Sequence, residues 1–117
     1  MKDSIIKIKS FDFAVRIVNL FKYLKSKKEF ILSKQILRSG TSIGANVREA
    51  LNAESKPDFI HKLSIAQKEC DETLYWLELL FRSNILTENE YNSINNECTE
   101  LLKIIKSIIL TSKNKKK

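Results

Sequence analysis

Apolar residues recur at alternating intervals of three and four along most of the chain, which is the spacing of one face of an α-helix. The pattern predicts four helices. The first runs from about Ser10 to Lys27 and the second from about Ser33 to Glu54. The third follows Ser55-Lys56-Pro57-Asp58 and the fourth follows Thr87-Glu88-Asn89-Glu90. Both of these openings have the composition of a helix N-terminal cap, and a proline is well tolerated in a first turn.

The apolar seams of these helices predict the core. They comprise Ala14, Ile17, Phe21 and Leu24 in helix one, widened by Phe13, Leu20 and Val18; Ile36, Gly40, Ile43, Val47 and Ala50 in helix two; Phe59, Leu63, Ala66, Cys70, Thr73, Leu77 and Leu80 in helix three; and Tyr91, Ile94, Cys98, Leu101, Ile105 and Ile108 in helix four. Four amphipathic helices with short connections indicate an all-α fold, an antiparallel up-down-up-down four-helix bundle. We expect one domain over residues 1–112 and a disordered basic tail over residues 113–117.

Two of the predicted helices are apolar on more than one side. The additional apolar or small positions are Leu37, Thr41, Gly44 and Leu51 in helix two, and Ile60, Leu74, Trp76, Leu79 and Phe81 in helix three. A four-helix monomer buries only part of each helix, and a surplus of large apolar residues indicates a partner surface. The sequence therefore predicts a homo-oligomer.

Both glycines of the chain, Gly40 and Gly44, lie one turn apart in the segment RSGTSIGANVREA at residues 38–50. Each costs about 1 kcal/mol in a helix interior relative to alanine, so packing or binding must offset them. A close helix–helix crossing is the favoured interpretation, and a direct ligand role is the alternative. Asn46 and Trp76 are further candidates for helix packing or oligomer contacts, because one polar residue can fix register and tryptophan is enriched at interfaces.

The net charge of +7 is unevenly distributed. Residues 1–38 hold ten Lys or Arg against three acids, residues 39–112 hold seven against eleven, and the tail adds four lysines. Clustered positive charge suits nucleic acid, although a solvated surface is the alternative. The candidate phosphate-binding residues are Arg16, Lys22, Lys25, Lys27, Lys28, Lys34, Lys113, Lys115, Lys116 and Lys117.

Catalytic and metal chemistry find little support in the sequence. GTSIGAN lacks the Lys-Ser/Thr of a phosphate-binding loop, and the single His61 lies nine residues before Cys70, too far along one helix for a hydrogen bond. Glu49, Glu69 and Glu72 could face a bundle metal site, but no histidine has the spacing that such sites use. We expect them to pair with Arg38 and Arg48 instead. The sequence predicts no catalytic residue, no metal, no cofactor and no enzymatic activity.

The compartment is predicted to be the cytoplasm. No apolar run reaches the roughly 18 residues of a membrane span, and the charged N-terminus does not resemble a signal peptide. Without an export signal, Cys70 and Cys98 are expected to be reduced and packed as small apolar side chains.

The segments RSGTSIGANVREA at 38–50 and DFIHKLSIAQKECDETLYWLELL at 58–80, preceded by SFDFAVRIVNL at 10–20, resemble the four-helix-bundle family that includes the 23S rRNA intervening-sequence proteins. Helix four matches only in pattern. The resemblance implies a small bacterial cytosolic protein, an antiparallel bundle and often a pentameric barrel, with no associated enzymatic activity. A related phage protein is an accessory factor of a diversity-generating reverse transcriptase and is thought to bind nucleic acid.

Two functional hypotheses follow. The first is a non-enzymatic homo-oligomer, expected to be a pentamer, that binds nucleic acid, RNA in preference to DNA, through phosphate contacts. The second is a protein-binding scaffold or adaptor whose basic surface is incidental. A protein that binds a metal or small ligand is a third and weaker alternative.

Overall fold

The computed structural model describes residues 2–114 and contains four α-helices. They are α1 (Lys2–Ser26), α2 (Leu32–Leu51), α3 (Lys56–Arg82) and α4 (Glu88–Asn114). No strand occurs within residues 2–114. The bundle is elongated, measuring 52 × 21 × 20 Å. The all-α four-helix fold predicted from the sequence is confirmed.

Side-chain contacts show that each helix runs antiparallel to the next. Along α1 and α2, Ser10 meets Gly44 and Ile17 meets Gly40. Along α2 and α3, Arg38 pairs with Glu69 whereas Glu49 pairs with Lys62. The same order holds between α3 and α4, where Cys70 meets Cys98 and Phe81 stacks on Tyr91. The α4 helix closes the ring against α1.

The two ends of the bundle are therefore different. The two-loop end carries the α1–α2 and α3–α4 connections, and the terminal end carries the α2–α3 connection, the start of α1 and the last turn of α4.

One apolar core runs along the bundle and contains most of the predicted seam residues. The fully buried members include Ile17, Ile36, Ile43, Val47, Leu63, Ala66, Cys70, Leu77, Leu80, Cys98, Leu101 and Ile105. Phe59 and Tyr91, which open the predicted seams of helices three and four, are partly buried and pack against this core. Thr73 is buried as predicted, and its hydroxyl is hydrogen-bonded to that of Ser39 on α2 at 2.9 Å. The core therefore contains a polar contact that satisfies both hydroxyls.

The predicted start of the first helix was wrong. Ser10 does not cap a helix but lies well inside α1, where its side chain is buried and its hydroxyl donates to the Lys7 carbonyl at 3.3 Å. The helix begins eight residues earlier because Ile6 is also buried in the core and extends the inner face of α1 toward the terminal end. Val18, assigned to the seam from the sequence, is instead exposed.

The other helix boundaries follow from local capping. Glu29 accepts hydrogen bonds from the backbone amides of Leu32 at 3.0 Å and Ser33 at 2.6 Å, so its carboxylate caps α2. The α2 helix ends three residues before the predicted Glu54. The predicted caps of helices three and four are confirmed, since Ser55 accepts from the Asp58 amide and Thr87 exchanges hydrogen bonds with Glu90.

Only the first two residues of the predicted tail, 113–117, are described by the structure. Lys113 and Asn114 belong to α4, where the charge of Lys113 in the last turn is favourable to the helix dipole. Lys115, Lys116 and Lys117 lie outside the described residues.

Both glycines face α1 at a close approach of the two helices. A β-carbon on Gly40 would lie 2.7 Å from Cγ1 of Ile17, and one on Gly44 would lie 3.2 Å from the carbonyl oxygen of Ser10. Glycine at these two positions therefore lets the backbones of α1 and α2 approach more closely than an alanine would allow.

The additional apolar residues of helices two and three, from which the sequence predicts a partner surface, are in part used within the bundle. Leu37, Leu51, Ile60, Leu74 and Trp76 are partly buried and pack against the core. The exposed remainder of each side chain stays available to a partner, so the homo-oligomer remains a prediction.

Candidate nucleic-acid interface

The α1–α2 connection forms a tight turn at the two-loop end. Lys28 adopts a left-handed conformation with φ of 67°. The amide of Glu29 reaches back to the Leu24 carbonyl at 2.9 Å, which closes the end of α1. The Glu29 carboxylate then turns onto the backbone amides that open α2. This local arrangement places residues 27–31 at the tip of the bundle.

Four predicted phosphate-binding lysines at this end are exposed. They are Lys22, Lys25, Lys28 and Lys34. Within residues 2–114 none of the four forms an ion pair, although Lys25 lies over the ring of Phe21 at 5.3 Å. Their ammonium groups are therefore available to an external anion.

Lys27 is also exposed, and it differs from the other four lysines in having its charge near an acid of α4. Its ammonium group lies 5.2 Å from the centre of the Tyr23 ring. Hydrogen bonds from the Thr87 amide and from Tyr23, with the charge of Lys27, lower the pKa of Glu90. The charge of Lys27 therefore acts on a carboxylate in the first turn of α4.

Arg16 is likewise occupied between helices. Its guanidinium donates to Glu97 at 2.8 Å and to Ser93 at 2.7 Å, both on α4. Lys9 and Glu100 form a second ion pair across the same two helices. These contacts give Arg16 a function in helix packing and leave it fewer donors for phosphate.

Lys113 is separated from the lysines of the α1–α2 connection. It lies at the terminal end, where it lines a shallow surface groove with Pro57, Ile60 and His61. Because the bundle is 52 Å long, the described cations are divided between its two ends. Lys22, Lys25, Lys28 and Lys34 lie toward the two-loop end, and Lys113 lies at the other.

The acidic residues considered for a metal are used in ion pairs. Arg38 donates to Glu69 at 3.2 Å and also binds Glu72, which lowers the pKa of Glu72 and raises that of Arg38. Glu49 instead accepts from Lys62 at 2.8 Å. Within the described range, no group of three metal-ligating side chains converges. The expected pairing with Arg38 is present, whereas Arg48 lies over the Phe11 ring at 5.5 Å.

Trp76 and Asn46 make contacts within the bundle. The indole of Trp76 donates to Glu72 at 3.0 Å, and its ring is partly buried against the core. Asn46 donates to the Ser42 carbonyl at 2.9 Å, one turn earlier in the same helix. Tyr75 packs edge-on against Trp76 and is itself exposed.

Cys70 and His61, which were considered for nucleophilic chemistry, lie in different environments. Cys70 is fully buried, and its neighbour Cys98 together with burial raises the pKa of its thiol. A neutral buried thiol is a poor nucleophile. His61 is exposed on the opposite face of α3.

Sequence reasoning missed two exposed apolar features. The first is the α1 stripe, defined as Ile5, Ile8, Phe11, Val15 and Val18, whose side chains are between 36% and 60% exposed. Their spacing of three and four residues was a detectable signal, but the helix was expected to start too late to include the first two. The second is the pair Phe30 and Ile31 in the α1–α2 connection.

None of the helices in the described part of the chain has a segment long and apolar enough to cross a bilayer.

Comparison with known proteins identifies the family. Residues 2–107 match the family described as 23S rRNA-intervening sequence protein. The chain is also similar to a crystal structure of a protein of unknown function from the S23 ribosomal protein family of Bacteroides thetaiotaomicron. The two are 61% identical, with 94% of this chain and 99% of that chain covered and a TM-score of 0.93. No curated protein matches the chain. The protein therefore belongs to the 23S rRNA-intervening sequence protein family.

Proposed function

We propose that this protein is a non-enzymatic, homo-oligomeric bundle that binds nucleic acid, RNA in preference to DNA, through phosphate contacts. The observation that carries the proposal is the group of four exposed lysines within thirteen residues at the two-loop end, Lys22, Lys25, Lys28 and Lys34, that form no ion pair within the described range. The family description, which refers to ribosomal RNA, favours RNA as the polyanion.

Cations outnumber acids at the two-loop end, where Lys22, Lys25, Lys27, Lys28, Lys34 and Arg82 lie with Glu29, Glu78, Glu88 and Glu90. The carboxylate of Glu29 is directed onto the amides of α2, and that of Glu90 onto the amide of Thr87. Glu78 is paired with Arg82 at 3.1 Å. The excess of positive charge at this end therefore attracts phosphates over a Debye length of about 8 Å at physiological salt.

The α1 stripe supports self-association. Single exposed apolar residues are normal on a protein surface, but the stripe is a row of five on the outer face of one helix. Contiguous apolar patches of this kind mark protein contacts. We propose that the stripe packs against a second copy in an assembly of five subunits, the number that the family resemblance implies. Oligomerisation multiplies the lysine clusters on one particle, which strengthens binding to a long polyanion through avidity.

Binding of the wild-type protein to labelled RNA and DNA tests the proposal. We expect an affinity that is largely independent of sequence and falls steeply with salt, with a logarithmic slope of about −0.9 per phosphate neutralised on duplex DNA and about −0.7 on single strands. If neither RNA nor DNA is retained at low salt, the nucleic-acid proposal is wrong.

The alternative function is a scaffold whose partner is another protein. The α1 stripe also favours this function, because an unpartnered apolar face can bind a different chain. A monomeric wild-type protein that retains no nucleic acid would support the scaffold over the leading proposal.

A further inference from the structure

The α1–α2 connection exposes apolar side chains that the equivalent connection at the same end buries. Phe30 is 51% exposed and Ile31 is 74% exposed. In the α3–α4 connection the apolar pair is Ile85 and Leu86, of which Leu86 is only 4% exposed and belongs to the core. Both connections join helices of one bundle, so packing alone does not require that Phe30 and Ile31 face solvent.

Both connections at this end close the preceding helix with a residue in the left-handed conformation, but they differ in the residue type used there. Lys28 occupies a left-handed conformation, with φ of 67°, that costs a side chain with a β-carbon about 1–2 kcal/mol. The α3–α4 connection places Asn84 in the corresponding conformation, and asparagine tolerates it better. This turn therefore has two unfavourable local features, a lysine in the left-handed conformation and, two residues later, an exposed aromatic ring. Such departures from local preference are typical of functional sites.

The charged residues near Phe30 in the sequence indicate which class of ligand this ring would bind. Lys28 precedes the ring by two residues and Lys34 lies in the first turn of α2, whereas the nearby carboxylate of Glu29 is turned onto backbone amides. Interleaved cations and an aromatic face are the features with which proteins hold single-stranded nucleic acid, since phosphates meet lysines and an unpaired base stacks on the ring. A base within a duplex cannot reach the ring in this way.

We propose that Phe30 is a stacking platform for an unpaired base, so that the two-loop end prefers single-stranded over double-stranded RNA. The proposal rests on the proposed function, because Lys28 and Lys34 supply the phosphate contacts that bring the base to the ring. A second copy of the protein is a less suitable occupant, since its own lysines at the same loop would repel those around Phe30.

Fluorescence anisotropy with an unstructured single-stranded RNA and an RNA duplex of equal length tests the preference. Phe30→Ala should weaken single-strand binding about five- to a hundredfold, the range that loss of one stacked base gives, and leave duplex binding within about twofold. The matched control is Tyr75→Ala, which removes another exposed aromatic ring from α3 and should change neither affinity. Thermal unfolding verifies that each variant is folded.

A second variant reports on stacking directly. In Phe30→Trp, single-stranded RNA should quench the added tryptophan fluorescence, whereas the duplex should not; the wild-type protein, whose single tryptophan is the partly buried Trp76, gives the baseline.

The outcomes separate the two proposals. If wild type and Phe30→Ala bind single strands equally well, or if Phe30→Ala weakens single-strand and duplex binding alike, the stacking proposal is overturned and the proposed function stands. If wild type binds neither RNA, both fail. Binding of wild type to phosphatidylserine vesicles that requires Phe30, with RNA binding that does not, would overturn the stacking proposal in favour of a membrane surface.

Discussion

Gly44 shows how one missing side chain sets the distance between two helices. A β-carbon there would meet the backbone carbonyl of Ser10 at 3.2 Å, and a backbone atom moves only if α1 moves with it. We expect Gly44→Leu to lower the free energy of unfolding by about 1–3 kcal/mol through overpacking, despite the gain in helix propensity. Thermal or denaturant unfolding measures the effect.

The neighbouring Ala45 provides the control for this substitution. It is exposed on α2, so Ala45→Leu adds the same side chain without directing it at the Ser10 carbonyl. We expect Ala45→Leu to unfold within about 0.5 kcal/mol of wild type. Equal stability of Gly44→Leu and Ala45→Leu would show that the α1–α2 crossing accommodates a larger side chain at residue 44, which would contradict the prediction.

At the scale of the helices, ion pairs between side chains help to fix α2 to α3. Arg38 on α2 binds both Glu69 and Glu72 on α3, and the Trp76 indole binds Glu72. Because Arg38 lowers the pKa of Glu72 below its ordinary value, folding favours the ionised carboxylate. The associated stability is present above the ordinary pKa of glutamate, about 4.3, and is lost as the pH falls through the lowered value.

Glu72→Gln tests this linkage. We expect the variant to be less stable than wild type by no more than about 1 kcal/mol at neutral pH, because the pair is partly exposed. The difference should shrink as the pH drops below 4, since protonated Glu72 no longer attracts Arg38. Melting temperatures from pH 7 to pH 2 measure it, with Glu78→Gln, whose partner lies in the same helix, as the control. A difference that is constant over this range contradicts the linkage.

The helices were predictable from sequence where their signals are local. Ser55 and Thr87 each cap a helix by accepting from the amide three residues later. The buried residues of α3 and α4 recur every three or four positions along these helices. The start of α1 was not predictable in the same way, because lysines interrupt its first apolar residues and Ser10 imitates a cap. Only burial of Ile6 by the other helices reveals that the helix continues.

The candidate site was only partly predictable, because charge clustering does not show which cations are already paired. Arg16 meets Glu97 across 81 residues of sequence, a contact that depends on how α4 closes the ring. The five lysines between residues 22 and 34 were identifiable as a cluster because they lie within thirteen residues; they are Lys22, Lys25, Lys27, Lys28 and Lys34. Their separation from Lys113 follows from the bundle topology and not from charge.

At the scale of the whole molecule, the α1 stripe predicts assembly. Light scattering at micromolar concentration should give a mass several times 13.6 kDa. Val15→Glu places a charge within the stripe and should reduce the mass toward one chain while the helical content stays the same. Leu110→Glu, an equivalent change at an exposed apolar position of α4, is the matched control and should assemble like wild type. A wild-type mass of one chain at high concentration contradicts the assembly.

The most direct test of nucleic-acid binding compares two variants that lose the same charge. One replaces Lys22, Lys25, Lys28 and Lys34 at the two-loop end with glutamine, and the other replaces Lys7, Lys68, Lys103 and Lys106, exposed lysines elsewhere on the bundle, in the same way. The measurement is the salt dependence of affinity for single-stranded RNA. We predict that the first variant binds more weakly across all sequences, with a slope reduced by up to about 0.7 for each lysine removed, whereas the second stays closer to wild type. Equal losses in the two variants, or no loss in the first, would contradict the assignment of the two-loop end as the phosphate-binding surface.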